Sequence, residues 1–543
     1  MSLQFIFGNS GSGKSHYLYQ QIVEESIRHP EKNYLVLVPE QFTMQTQKDL
    51  CMAHPRGGIM NIDVLSFGRL AHRVFEETGK ERQPILDDEG KNLVLRKIAG
   101  NYEDELTVLK GNLKKQGYIS EVKSVISEFT QYGIDFEQLD SFMEGLNPES
   151  YLYYKLKDIR KVYEGFEDYL RDKYITKEEL LDVLSQNVAE AKMLKDSVIA
   201  MDGFTGFTPV QNRLIGELLK VCDKIMLTVE IDRREDPFIY KHPYQLFALS
   251  KQMVTSLTEV AQEVKVEIDE PVWLCKNPPY RFKENPEMAF LEEELFRYSR
   301  RKYSGEKMRS ISLHEVHTPQ EEAQYVAEEI RRLVREEGYR YREIAVIASD
   351  LNTYADSLEK ACERYEIPVF MDHKKSILLN SFVEYLRSLL VMVEQNYTYE
   401  SVFRYLRTGL CGFTRDEVDR LENYCLALDL KGFKKWDQVW VRKTLMTTKE
   451  ELEELNQLRV RFVEKLTPLH TVLKKRKKTV KEITLAVYEY LAQEKIQEQL
   501  AELEQKFQED GELALAKEYA QIYRIVLELF DKFVELLGEE EIP

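Results

Sequence analysis

The chain opens on short apolar runs set apart by longer stretches of 3.6-residue periodicity. Residues 3–7, 34–38, 62–65, 198–201 and 225–229 are apolar and rich in β-branched or aromatic types, with helical patterning between them. Such alternation predicts a parallel sheet, because a parallel neighbour can be reached only by a crossover, and the usual crossover is a helix. The first helix is predicted from residue 14 to about 28. Between 81 and 195 no strand pattern occurs, and Leu, Tyr, Lys and Glu recur at helical spacing, so this stretch reads as a helical insertion between strands. A polar, Pro-containing passage at 277–286 and a basic cluster at 297–307 read as a linker or exposed connection. A second α/β unit is predicted beyond it, with strands over 311–316, 344–348 and 367–370 and helices over 320–337 and 353–365. From about residue 382 the pattern is helical to the end, and no fixed-period repeat is present. The fold class predicted is α/β and helix-rich overall, with parallel sheets and large helical insertions. Its divisions are 1–80 with 196–300 as the first α/β domain, 81–195 as the insertion, 301–381 as the first part of the second α/β domain and 382–543 as a helical accessory region.

Composition changes this picture in three places. A chain of 543 residues is too long for one ordinary core. A net charge of −18 argues against a surface coated for phosphate binding, but a confined basic groove is compatible with it, since net charge averages over the whole molecule. Cys51, Cys222, Cys275, Cys362, Cys411 and Cys425 are scattered without C-x-x-C spacing, which reads as buried reduced thiols rather than metal ligands. No apolar run approaches the roughly 20 residues of a membrane span, and the N-terminus carries no basic leader, so a cytoplasmic protein without a membrane partner is expected.

Candidate chemistry is concentrated at the first strand's end. Gly8, Asn9, Ser10, Gly11, Ser12, Gly13, Lys14 and Ser15 fit G-x-x-x-x-G-K-[ST]. Glycines let successive backbone N–H groups turn inward around phosphate oxygens, and the helix starting at Lys14 points its positive end at the same anion. Lys14 supplies a cation for the outer phosphates and Ser15 a hydroxyl for Mg²⁺, so ATP and Mg²⁺ are the expected ligands. An ordinary Gly-rich turn is the bland alternative, which the strand before the loop and the helix after it disfavour.

A hydrolysing P-loop protein also needs an acidic residue on a nearby strand, usually with an adjacent carboxylate to activate water. Asp202 follows the apolar run 198–201 and fits the Mg²⁺-associated position; the rival reading is a residue that merely ends a strand or caps a helix. The next position is Gly203, and no ionisable side chain follows as far as Gln211. The expected site binds ATP and is poorly equipped to hydrolyse it, with no catalytic residue to assign, unless a carboxylate from elsewhere fills the role.

Beyond the glycine loop, Leu35-Val36-Leu37-Val38-Pro39-Glu40-Gln41-Phe42-Thr43, Val64-Leu65-Ser66-Phe67-Gly68-Arg69-Leu70-Ala71-His72-Arg73-Val74, and Met201-Asp202-Gly203-Phe204 with Phe207-Thr208-Pro209 resemble, in order and spacing, a superfamily 1 helicase of the UvrD/RecB type. Their wording resembles the AddB family, as do residues 339–348, 366–372 and Leu421-Glu422-Asn423-Tyr424-Cys425 with Lys431-Gly432, so the resemblance covers essentially the whole chain. It implies two RecA-like P-loop domains and a role beside an AddA-like helicase–nuclease partner, in a heterodimer that resects double-strand DNA breaks for recombination. It also implies single- and double-stranded DNA as ligands and scanning for the hotspot sequence Chi with eroded motor motifs. Asp202-Gly203 in place of Asp-Glu agrees with that erosion, and residues 227–232 lack the family's Gly-Asp followed by Gln. AddB proteins are about twice this long and continue into a nuclease domain with a four-cysteine 4Fe–4S cluster; neither that domain nor the cluster is expected in these 543 residues.

Carried over by motif position, the resemblance marks Gln41, Thr43, Phe67, Arg69, His72, Phe204 and Phe207 as candidates for DNA binding. Amide and guanidinium groups can pair with base edges, and aromatic rings offer stacking faces. Five of them have a plainer reading: Phe67 and Phe204 as core, Arg69 as a helix cap or carboxylate partner, Gln41 and Thr43 as a helix start. The run Lys474-Lys475-Arg476-Lys477-Lys478 reads either as solvated surface or as a phosphate contact, and the mixed run 331–337 as the outer face of a helix. Two other functions stay open beside the DNA-scanning role: an autonomous ATP-driven helicase, and a non-DNA P-loop phosphotransferase.

Overall fold

In the first strand Leu3, Phe5 and Phe7 point to one side and Ile6 to the other, the period-2 pattern of a strand covered on both faces. The computed structural model describes residues 1–79, 83–112, 115–305, 308–372, 376–444 and 447–542, in two compact units, 1–312 and 313–543.

The first unit is built on a parallel sheet. Its strands are β1 (Ser2–Gly8), β2 (Tyr34–Leu37), β3 (Ile62–Leu65), β6 (Val198–Met201), β7 (Lys224–Glu230), β8 (Glu267–Ile268) and β9 (Val272–Trp273), while β4 (Ile85–Leu86) and β5 (Ile175–Thr176) lie apart from it. The order is β3-β2-β6-β7-β1-β8, with β9 also paired to β1, and every pairing is parallel. Three helices follow the first three strands: α1 (Lys14–Arg28), α2 (Thr43–Ala53) and α3 (Phe67–Thr78). Leu18, Ile22 and Val23 of α1 and Leu50 of α2 pack with Ile6, Tyr34, Val36 and Ala200 on one face. Leu70, Ala71 and Val74 of α3 join Leu3, Phe5, Leu37, Ile199 and Leu227 on the other.

Between α3 and β6 the chain carries helices Asp88–Asn101, Gln116–Tyr132, Phe136–Glu144, Tyr151–Leu170 and Leu180–Asn187. One correction applies: β4 and β5 form a parallel ladder of two residues each, too short for a period-2 pattern to show in sequence. Buried Asp158 fixes the turn at 107–109 by accepting N–H bonds from Thr107, Val108 and Leu109.

The second unit is helical apart from one antiparallel ladder of two residues each, Lys478–Thr479 with Glu541–Ile542, too short to show in the sequence pattern from 382 onward. Helices Pro319–Glu336 and Leu351–Arg364 pack through Ala323, Ala327 and Ile330 against Leu358, Ala361 and Cys362. The three strands expected at 311–316, 344–348 and 367–370 do not form; those residues run without ladder hydrogen bonds among the described residues. Leu313, Ile347 and Phe370 are 97%, 95% and 90% exposed, so the apolar runs are present but, among the described residues, have no neighbouring strand to pair with. The remaining helices, from Ser381–Glu394 to Leu513–Leu537, enclose a core around Tyr385, Tyr405, Trp436, Phe462 and Leu491. Three of their starts are capped by reciprocal Thr–Glu pairs, Thr414 with Glu417, Thr448 with Glu451 and Thr479 with Glu482. Among the described residues no helix is long and apolar enough to cross a membrane, and the cysteines are free thiols, with Cys222, Cys362, Cys411 and Cys425 buried.

Because Ile22 is fully buried between α1 and the sheet, Ile22→Ala is expected to destabilise the first unit by about 2–5 kcal/mol, read as a lower urea midpoint. An unchanged midpoint would mean that α1 is not seated on this core.

Candidate nucleotide and DNA site

β1 ends at Gly8 and α1 begins at Lys14, so the predicted phosphate loop lies between a central strand and the first helix. Gly11 and Gly13 have φ of +74° and +93°, left-handed values that turn the loop inward and that a side chain would strain. A Cβ on Gly8 would come within 2.4 Å of Ser12 Oγ, so a larger residue there would force the Ser12 side chain to move. The Lys14 ammonium donates to the Asn9 carbonyl at 3.0 Å. Burial pulls its pKa below the usual lysine range, a pull that Glu230 and Asp202 oppose.

Asp202 stands just past β6, and its carboxylate is surrounded by hydroxyls. Ser15 Oγ donates to Oδ1 at 3.1 Å, Thr228 Oγ1 donates to the same oxygen at 2.6 Å, and Tyr19 OH donates to Oδ2 at 2.7 Å. Burial first, and the neighbouring Asp202 charge second, raise the Tyr19 phenol well above its ordinary pKa, so it stays a donor. Gly203 follows with φ of +78°. A Cβ there would meet only Pro39 and Phe42 at ordinary contact distances, so backbone conformation rather than space disfavours a larger residue.

The residues fit the group they are expected to hold. Ser12 Oγ and Asn9 Oδ1 are buried in the loop without a hydrogen-bond partner, which an incoming ligand with polar atoms would relieve. Ser15 and Asp202 present a hydroxyl and a carboxylate, hard oxygen donors of the kind Mg²⁺ takes beside phosphate oxygens.

The candidate DNA residues sit past the ends of three adjacent strands, β3, β2 and β6. Phe67, Phe204 and Phe207 form one ring cluster with centroids 5.1–6.2 Å apart. Phe67 is buried within it, in keeping with its core reading, while Phe204 and Phe207 are half-buried. Gln41, Arg69 and His72 are exposed. Thr43 is turned inward, its hydroxyl donating to the Glu40 carbonyl at 3.0 Å. The helix cap beside Arg69 is Ser66, which accepts from the Arg69 backbone N–H. The run 474–477 is exposed in the second unit, with Lys475 and Lys477 3.6 Å and 3.4 Å from Glu482 and Glu541. Arg332 in the run 331–337 pairs with Glu329 and Glu337, as the outer face of a helix does.

Sequence reading missed three parts of this site. The passage 277–286 is not a free linker: the turn Tyr280–Phe282 lies against the phosphate loop, with the Arg281 N–H donating to the Gly11 carbonyl at 3.0 Å. Its Pro-Pro-Tyr-Arg-Phe wording, aromatic and basic among prolines, was the available signal. Glu292 reaches the loop as well, accepting from Asn9 Nδ2 at 3.1 Å. Tyr19 and Thr228, read only as helix and strand residues, turn out to face Asp202.

Loop and carboxylate meet across the sheet in the arrangement of a P-loop site, and residues 283–542 match the UvrD-like helicase C-terminal domain. Residues 5–292 match the family described as ADDB, N-terminal, and the chain belongs to the AddB family. Its relatives include proteins named as one subunit of an ATP-dependent helicase/deoxyribonuclease. That from Lachnoclostridium phytofermentans is 41% identical over 100% of this chain and 48% of the relative, and that from Acetivibrio thermocellus 33% identical over 99% and 48%. The protein of the same name from Clostridium novyi is 32% identical over 100% of this chain and 47% of its own. The chain thus spans about half the length of the curated relatives it matches.

Gly203→Glu is expected to leave ATP turnover unchanged and to lower stability by about 1 kcal/mol, since a left-handed backbone does not suit a Glu. A DNA-stimulated rise in phosphate release of about tenfold or more would show that the position needs only a carboxylate.

Proposed function

We propose that this chain is the helicase-like part of one member of a two-subunit ATP-dependent DNA helicase–nuclease that processes double-strand breaks in the cytoplasm. In this reading residues 8–15 hold the phosphates of ATP, Ser15 and Asp202 hold Mg²⁺, and exposed residues past β2, β3 and β6 grip a single DNA strand. Translocation is driven by an AddA-like partner, and the AddB-like member scans the passing strand for Chi. The relatives' shared name, that of one subunit of a helicase/deoxyribonuclease, supports a complex that acts on DNA.

The observation that carries the reading is the left-handed Gly203 directly after Asp202. Bound Mg²⁺ would offset phosphate charge. What the chain's own groups do is bind and orient: Lys14 and the loop N–H groups take the phosphates, and Asp202 sets the Ser15 hydroxyl. No side chain at position 203 takes a proton from water, so binding is retained without efficient hydrolysis.

A second reading, an autonomous motor, has one observation in its favour. Glu230 ends β7 opposite Gly8, close enough for its charge to act on Lys14, and is the carboxylate that would replace the missing base.

ATP binding and turnover on the chain, with and without single-stranded DNA, separate the two. The expected outcome is Mg-ATP binding that Lys14→Ala abolishes, with turnover near background. DNA-stimulated turnover that Lys14→Ala and Glu230→Gln both remove would replace the scanning reading with the motor. For the DNA edge, Arg69→Ala and Phe204→Ala are each expected to weaken single-strand binding by about 1–3 kcal/mol in a titration at fixed salt. Unchanged affinity in both would remove that edge from the interface.

A further inference from the structure

Three hydroxyls converge on one buried carboxylate, and only Ser15 belongs to the phosphate-loop pattern. Ser15 and Tyr19 are four residues apart on α1, hence on the same helix face one turn from each other. Thr228 comes from β7, the strand lying between β1 and β6. Asp202, Thr228 and Tyr19 are 7%, 4% and 9% exposed, so water competes little for these bonds. The Tyr19 hydroxyl is itself held: it lies 3.3 Å from Thr46 Oγ1 of α2, and Thr46 is buried too.

The arrangement has a consequence for the carboxylate's orientation. A lone carboxylate at a strand end can rotate about its Cβ–Cγ bond and present either oxygen. Here Tyr19 engages Oδ2 at 2.7 Å and Thr228 engages Oδ1 at 2.6 Å. Rotation would break both bonds, and hydrogen bonds to a charged acceptor are among the stronger ones. The locked orientation directs Oδ1 to Ser15. With Gly203 next in the chain, no second carboxylate beside it shares the task.

Resting on the nucleotide reading above, we propose that Tyr19 and Thr228 are positioning residues for the magnesium ion of the bound nucleotide, acting through Asp202. They fix which carboxylate oxygen faces Ser15, and so set how much the ion adds to nucleotide affinity. The phosphate loop itself does not depend on them.

The test is the affinity of the full chain for ATP, measured with Mg²⁺ and with EDTA, in the wild type, Tyr19→Phe and Thr228→Val. Both substitutions keep the buried shape and delete one hydroxyl. In each variant the ratio of the two affinities is expected to fall by about fivefold or more relative to wild type, with EDTA affinity held within about twofold. A purely structural role would weaken both affinities together and leave the ratio unchanged, and that result overturns the proposal. Should Tyr19→Phe fail to fold, Thr228→Val decides alone on the same criterion. A wild type that binds ATP equally well with and without Mg²⁺ overturns the positioning role while sparing nucleotide binding. A wild type that binds no ATP under either condition overturns the nucleotide reading itself, and the positioning role with it.

Discussion

The functional edge depends on the register of β1 against β7. Gly8 lies opposite Glu230 and Ile6 opposite Thr228, while Met201 lies opposite Leu227 on the next strand over. That register places the loop, the Thr228 hydroxyl and Asp202 in one row at the carboxyl ends of the strands, where open parallel sheets bind their ligands. Side chains alternate along a strand, so a slip of one residue would turn Thr228 away from Asp202 and exchange the two buried faces of β7. The register is held by those faces: Leu3, Phe5, Leu227 and Val229 pack on one side, Ile6 and Met226 on the other. Hydrophobic burial on two faces thus fixes a polar geometry at the strand ends, to which it contributes no polar atom.

The same edge shows why a net charge of −18 says little about ligands. Lys14 is half-buried among Asn9, Glu230 and Asp202, and its charge acts over a few ångströms in a place where water screens weakly. Arg332 with Glu329 and Glu337, and Arg407 with Asp419 and Glu422, are surface arrangements of small energetic consequence.

Where sequence and structure agree, the determinants are local. The helix from Lys14 to Arg28 and the strands at 62–65 and 198–201 lie where periodicity places them, because each is specified by a contiguous run of side chains and a nearby turn. Where they part, the determinant is distant. The Pro-Pro-Tyr-Arg-Phe wording marks a distinctive turn at Tyr280 but not that the turn lies against Gly11, some 270 residues earlier, since the bond that holds it joins one backbone N–H to one backbone carbonyl. Likewise Tyr19 reads as an ordinary helix residue until Asp202, 183 positions away, is brought beneath it. The apolar run at 344–348 shows the converse limit, because a strand requires a partner as well as a pattern.

Binding a nucleotide and hydrolysing it place different demands on this fold, and under the proposed reading that difference lets one persist without the other. Binding draws on backbone N–H groups and a single lysine, all within the eight residues from Gly8 to Ser15. Hydrolysis draws in addition on a carboxylate held at one point beyond the sheet, where the backbone must suit a side chain. At Gly203 it does not: φ is +78°, and the chain turns away beside Phe42 toward Phe204. Meanwhile the preceding Asp202 is tied by hydroxyls from α1 and from β7, which stiffens its carboxylate. A rigid, oriented carboxylate with no neighbour suits a site that senses or holds a nucleotide better than one that turns it over. Under the proposed reading, the conformation of a single glycine separates the two.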